Sequence, residues 1–170
     1  MLRLVCTFLF LVFIHQNIQA QAECNCCTQS HFQFDFWLGE WNVYDTDGKK
    51  IGENHIVKLE AGCLVRENWK GKSGVTGSSY NFFDPADSSW NQIWVDNQGN
   101  NLKLKGKASS NSMVLQSEIS QSPDGTWQIN RITWTVGSDG NIIQLWEVLD
   151  KNQEVKSIAF KGIYKKKSAD

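Results

Sequence analysis

The chain has 170 residues, room for one domain and too few for two of ordinary size. At 41% hydrophobic, 21% charged and a formal net charge of −1, its composition is globular, and it excludes both a basic nucleic-acid surface and an acidic, cation-collecting tail. The unusual features are 8 Trp against only 2 Pro, and 13 Gly.

Residues 1–22 read as a targeting segment rather than as structure. Arg3 supplies a positive start, residues 4–14 form an apolar core too short to span a bilayer, and Ala20-Gln21-Ala22 is an A-x-A cleavage site. Cleavage places the first mature residue at Glu23 or at Gln21. No later segment approaches transmembrane length. The expectation is therefore a secreted or periplasmic protein with no membrane association after processing.

Export changes how the cysteines read. Cys6 leaves with the leader, and Cys24, Cys26, Cys27 and Cys63 remain, an even number in an oxidising compartment. Adjacent residues rarely meet disulfide geometry, which disfavours a Cys26–Cys27 bond. Cys63 is left to pair with Cys26 or Cys27, and Cys24 with the other. A metal site built on C-x-C-C plus one distant Cys matches no zinc spacing.

The segment His31-Phe-Gln-Phe-Asp-Phe-Trp-Leu-Gly-Glu-Trp41 carries five aromatic rings and must be buried. It reads as a plug, with a single helical turn over residues 34–38, and with the Cys cluster it makes up an N-terminal segment, residues 23–40, ahead of the barrel. From Trp41 the chain becomes a series of short β-like runs: 41–45, 51–59, 63–69, 78–83, 90–96, 102–107, 113–119, 127–136, 142–149 and 155–164. Turn signals such as Asp45-Thr-Asp-Gly48, Ser122-Pro-Asp-Gly125 and Gly137-Ser-Asp-Gly140 separate them. No run after Trp41 shows a 3.6-residue apolar period. The predicted fold is all-β, an antiparallel up-and-down barrel of about ten strands over residues 41–164, because closure removes two exposed edges. A two-sheet sandwich is the alternative. Residues 165–170 read as a disordered basic tail.

Gly39-Glu40-Trp41 resembles the Gly-x-Trp signature at the first strand of lipocalins and the wider calycin group. The chain is more closely similar to a family of secreted, lipocalin-like bacterial proteins of unknown function. The likeness rests on Phe34-Asp-Phe-Trp-Leu-Gly-Glu-Trp41, Leu59-Glu-Ala-Gly-Cys63, Glu67-Asn-Trp69, Trp90-Asn-Gln-Ile-Trp-Val-Asp96, Arg131-Ile-Thr-Trp134 and Gln144-Leu-Trp-Glu147. The Cys24-x-Cys-Cys cluster resembles that family's N-terminus. The resemblance implies a calycin-like barrel and brings no catalytic residues. It also implies a basic side chain from a late strand over the Trp41 indole, here Arg131 or Lys161.

Strand residues two apart share a face. Trp90, Gln92 and Trp94 therefore align on one run, as do Glu67 with Trp69 and Gln144 with Trp146. Indoles beside amides and a carboxylate suit an apolar-walled cavity with a few fixed polar groups. Glu67, Trp69, Trp90, Gln92, Trp94, Arg131, Gln144 and Trp146 are the candidate ligand-binding residues, for a partly apolar, flat or ring-shaped small molecule. The competing account is a filled core in which Gln92, Gln144 and Glu67 satisfy one another, leaving the outer surface for a partner or a structural role. An enzyme in the same cavity is a further alternative, with Glu67, Asp96 or Glu147 as acids and Arg131 steadying an anion. No Ser lies in a G-x-S-x-G elbow, and no catalytic residue is assigned. His31 and His55 alone do not suit haem or another metal, so no cofactor is expected.

Overall fold

The computed structural model describes residues 24–122 and 124–168. The expected leader, residues 1–22, and the last two residues of the expected tail, 169–170, lie outside the described residues. Strands β1 (Gly39–Tyr44), β2 (Lys50–Leu59), β3 (Leu64–Gly71), β4 (Thr76–Asp84), β5 (Ser89–Asp96), β6 (Asn101–Ala108), β7 (Ser112–Gln116), β8 (Ser120–Gln121), β9 (Trp127–Val136), β10 (Ile142–Leu149) and β11 (Val155–Lys166) follow in chain order. All of their pairings are antiparallel, and ten strands close into a barrel through Trp41↔Lys166 and Val43↔Tyr164 between β1 and β11. The short β8 lies outside this ring and pairs only with the start of β9.

The alternation expected of half-buried strands holds around the barrel. Trp41 and Val43, Asn54 and Ile56, Val65 and Glu67, Ser79 and Asn81, Met113 and Leu115 are buried, with less buried residues between them. Two departures from the predicted elements have local causes. The seventh run stops at Gln116 because Ser117 turns its hydroxyl to the Asn130 N–H at 2.9 Å, displacing the regular ladder. At the C-terminus β11 continues through Lys166, so Lys165 and Lys166 are paired strand residues and not part of a disordered tail.

The aromatic segment forms two 3-10 turns, Gln29–Phe32 and Asp35–Trp37, and closes one end of the barrel. Phe34 and Trp37 are fully buried and stack at 4.9 Å. Phe34 meets Trp90 edge-on at 5.5 Å and Trp134 at 5.2 Å. The Trp41 indole N–H donates to the Trp37 carbonyl at 2.8 Å, and Trp90 Nε1 donates to Gln33 Oε1 at 3.2 Å. Each buried ring removes a large apolar surface from water, and edge-to-face pairs add roughly 0.5–1.5 kcal/mol each. Gly39, which leads from plug to strand, has φ +124°, a region closed to side chains. That is the physical reason for a glycine at the head of Gly-x-Trp.

Disulfides join Cys26 to Cys63 and Cys24 to Cys27. This is one of the two pairings the spacing left open. All four sulfurs are consumed, which removes the thiolate metal site. The Cys26–Cys63 bond anchors the segment before the plug to the β2–β3 turn, and Lys58 on β2 adds an ion pair to Asp35 at 2.6 Å.

Candidate functional site

The inward face of the barrel has three levels along its axis. A strand rises about 3.3 Å per residue, so Trp90 and Trp94 lie roughly 13 Å apart along β5. Trp90 is therefore in the closed end with the plug, Gln92 is at mid-height, and Trp94 is at the open end. The eight candidate residues do not form one cluster. Glu67, Gln92 and Gln144 share the middle level, while Trp69, Trp94 and Trp146 share the upper one.

Arg131 belongs to neither level. Its odd register sets it on the outer face, where Nε and Nη2 donate to Glu147 Oε2 at 3.0 and 2.9 Å. This also corrects the expected cap on Trp41. Lys166, directly opposite Trp41 in the β1–β11 ladder, holds its ammonium 5.4 Å from that ring. Neither Arg131 nor Lys161 is that cation. The signal available in sequence was parity: Lys166 shares the inward register of Gly162 and Tyr164.

The middle level is a continuous polar chain. Gln92 Nε2 donates to Asn81 Oδ1 at 2.6 Å, and Asn81 Nδ2 donates to Ser79 Oγ at 2.9 Å. The Ser79 hydroxyl donates to Glu67 Oε2 at 2.6 Å, and Asn54 Nδ2 donates to Glu67 Oε1 at 2.6 Å. Asn54 Nδ2 also reaches the Tyr164 hydroxyl at 3.3 Å, and that hydroxyl donates to Gln144 Oε1. Asn54, Ser79 and Asn81 were not among the candidates because short polar residues in a strand carry no signal of burial, nor was Tyr164, whose ring and hydroxyl suit either face of a strand. Burial pushes the Glu67 carboxyl above its ordinary value, against the opposing pull of the Ser79 and Asn54 donors. The Tyr164 phenol is also raised, by burial and by the neighbouring Glu67 charge. Asn54 Oδ1 is buried and has no hydrogen-bond partner.

The upper level is aromatic and half-buried: Trp69, Trp94, Trp146 and Phe160. Three of these rings lie against glycines of the wall. A Cβ on Gly52 would stand 2.4 Å from Trp69 Cη2, one on Gly77 2.3 Å from Trp94 Cζ2, and one on Gly162 2.7 Å from Phe160 Cε1. Only bare backbone lets the rings settle there. Trp69 and Phe160 meet edge-on at 5.9 Å, and Trp146 Nε1 donates to Asn130 Oδ1 at 2.8 Å.

Two open depressions border the candidate site, both with Trp69 in their lining. One, of about 300 Å³, lies among Glu53, Asn54, His55, Asn68, Trp69, Lys70, Thr76 and Lys167. The other, of about 450 Å³, lies among Asn68, Trp69, Thr76, Gly77, Ser78, Val95, Asp96 and Asn97. Among the described residues no three His, Cys, Asp or Glu side chains converge as metal ligands, and no helix is long and apolar enough to cross a membrane. Comparison with protein-family models and with curated proteins returned no match to this chain.

Proposed function

We propose that this is an exported, lipocalin-like barrel that binds a small, flat, partly apolar molecule at its open end. The observation that carries the reading is the disposition of Trp69, Trp94 and Phe160. Each ring lies on glycine backbone at the wall, where it lines the mouth, and each is only half-buried. Core aromatics such as Phe34 and Trp37 have no exposure at all. The Cys26–Cys63 and Cys24–Cys27 bonds fit the oxidising compartment that the leader implies.

A specific observation favours a second reading, a filled barrel acting through its surface. The middle-level amides and Glu67 hydrogen-bond to one another, and neither depression is lined by Glu67, Gln92 or Gln144. Native mass spectrometry of protein purified from its own source separates the two. The binding reading expects a small-molecule adduct that is released on unfolding and is lost in Trp94→Ala. A bare mass, with no saturable quenching of Trp emission by aromatic probes, refutes it.

A further inference from the structure

We propose that the guest is a flat aromatic cation whose N–H edge points down into the barrel, held by Glu67 and Asn54 beneath the indoles of Trp69 and Trp94. This inference rests on the binding reading above and adds the chemical class of the ligand.

The middle level is rich in spare acceptors. Among the described residues Glu67 is the one buried carboxyl, and no Lys or Arg is buried. An ionised carboxylate has about four lone-pair sites. Asn54 and Ser79 fill one on each oxygen of Glu67, so acceptor capacity remains. Asn54 Oδ1, on the residue paired with Trp69 across β2 and β3, has no donor at all and is on a side chain only 2% exposed. A buried acceptor without a donor is costly, and a guest N–H removes that cost. Three of the donors nearby are committed, Ser79 to Glu67, Asn81 to Ser79 and the Val65 carbonyl, and Tyr164 to Gln144, and the uncommitted Trp134 Nε1 carries no charge. An anionic guest would therefore meet Glu67 with no cation to balance it.

The upper level selects the same class. Indole faces attract cations through the ring quadrupole, and the attraction grows as water is excluded. Glu67 lies two residues below Trp69 on β3, roughly 7 Å along the strand. A ring at the level of Trp69 with an ammonium one carbon below it spans that distance.

The test compares three probes of one shape by calorimetry at neutral pH: 1-naphthylmethylammonium, 1-naphthylmethanol and 1-naphthylacetate. The expected result is that the ammonium binds at least about tenfold more tightly than the carboxylate, with the alcohol between them. Glu67→Gln, verified as folded by circular dichroism, should bring the ammonium to within about threefold of the alcohol. Equal or tighter binding of naphthylacetate to the unaltered protein overturns the charge assignment and leaves the binding reading standing. An unchanged ammonium preference in folded Glu67→Gln does the same. If none of the three binds, both fail. The comparison on unaltered protein decides the question even where the variant does not fold.

Discussion

Removing the long-range disulfide is the sharpest test of how the plug is held. The Cys26–Cys63 bond spans 37 positions, and the Cys24–Cys27 bond only 3. In the chain-entropy account the longer loop restricts the unfolded chain by about 4 kcal/mol and the shorter by about 1.6 kcal/mol. The double substitution Cys26→Ser with Cys63→Ser should therefore cost roughly 2 kcal/mol more than Cys24→Ser with Cys27→Ser. At this size, the longer bond corresponds to a fall in Tm of roughly 8–16 °C. The bond sits beside the plug, so its loss should also loosen Phe34 and Trp37, visible as a weaker near-ultraviolet dichroism below the unfolding transition. The assay is urea unfolding, followed by Trp emission and far-ultraviolet dichroism together. Equal losses for the two double variants would refute the reasoning, because loop length is the term that separates them.

Three other outcomes are expected. Gly77→Ala puts a methyl 2.3 Å from Trp94 Cζ2 and 2.8 Å from the Val95 carbonyl, so it should destabilise by about 1–3 kcal/mol and shift Trp emission as the indole leaves the wall; an unchanged spectrum and stability would contradict the packing. Gln92→Leu leaves Asn81 Oδ1 without its donor and should cost about 1–3 kcal/mol in urea unfolding, whereas an unaltered midpoint would break that link of the polar chain. The pH dependence should have two arms of opposite sign. Glu53 is held at about 2 by its hydrogen bonds to Lys50 and Lys167, so its contribution is present above the ordinary value of 4.5 and is lost as pH falls from there towards 2. Glu67 is raised by burial, so the folded state retains its proton longer and this carboxyl weakens the fold as pH rises through and above 4.5. Glu67→Gln should therefore gain on the unaltered protein as pH increases, and a pH-independent gap between the two would contradict the burial.

Much of the architecture was legible because hydrophobic alternation and turn residues act locally. The spans of β9 and β10 coincide with the predicted runs at both ends, since Ser122-Pro-Asp-Gly125 and Gly137-Ser-Asp-Gly140 punctuate the chain beside them. The site was legible only as parity. Trp90, Gln92 and Trp94 do share a face, yet shared face says nothing about height, and Trp90 belongs to the plug. Arg131 failed on parity itself, since Ile132 and Trp134 already fixed the inward register of β9. The polar chain depends on which strands meet across the closed ring. Asn54 and Tyr164 are distant in sequence and become neighbours only when β11 pairs with β1, a contact that no local pattern encodes.

That closing seam also sets an order of events for folding. Every other strand of the ring pairs with the next ring strand along the chain, whereas Trp41 must find Lys166 across nearly the whole described chain. Bringing such distant residues together costs roughly 3 kcal/mol more in loop entropy than closing a tight hairpin. The hairpins therefore zip first and shorten the gap, and the seam joins last. Until it does, β1 and β11 are two bare edges, each able to pair with another chain. The period of greatest aggregation risk ends when the Lys166 ammonium settles over the Trp41 ring.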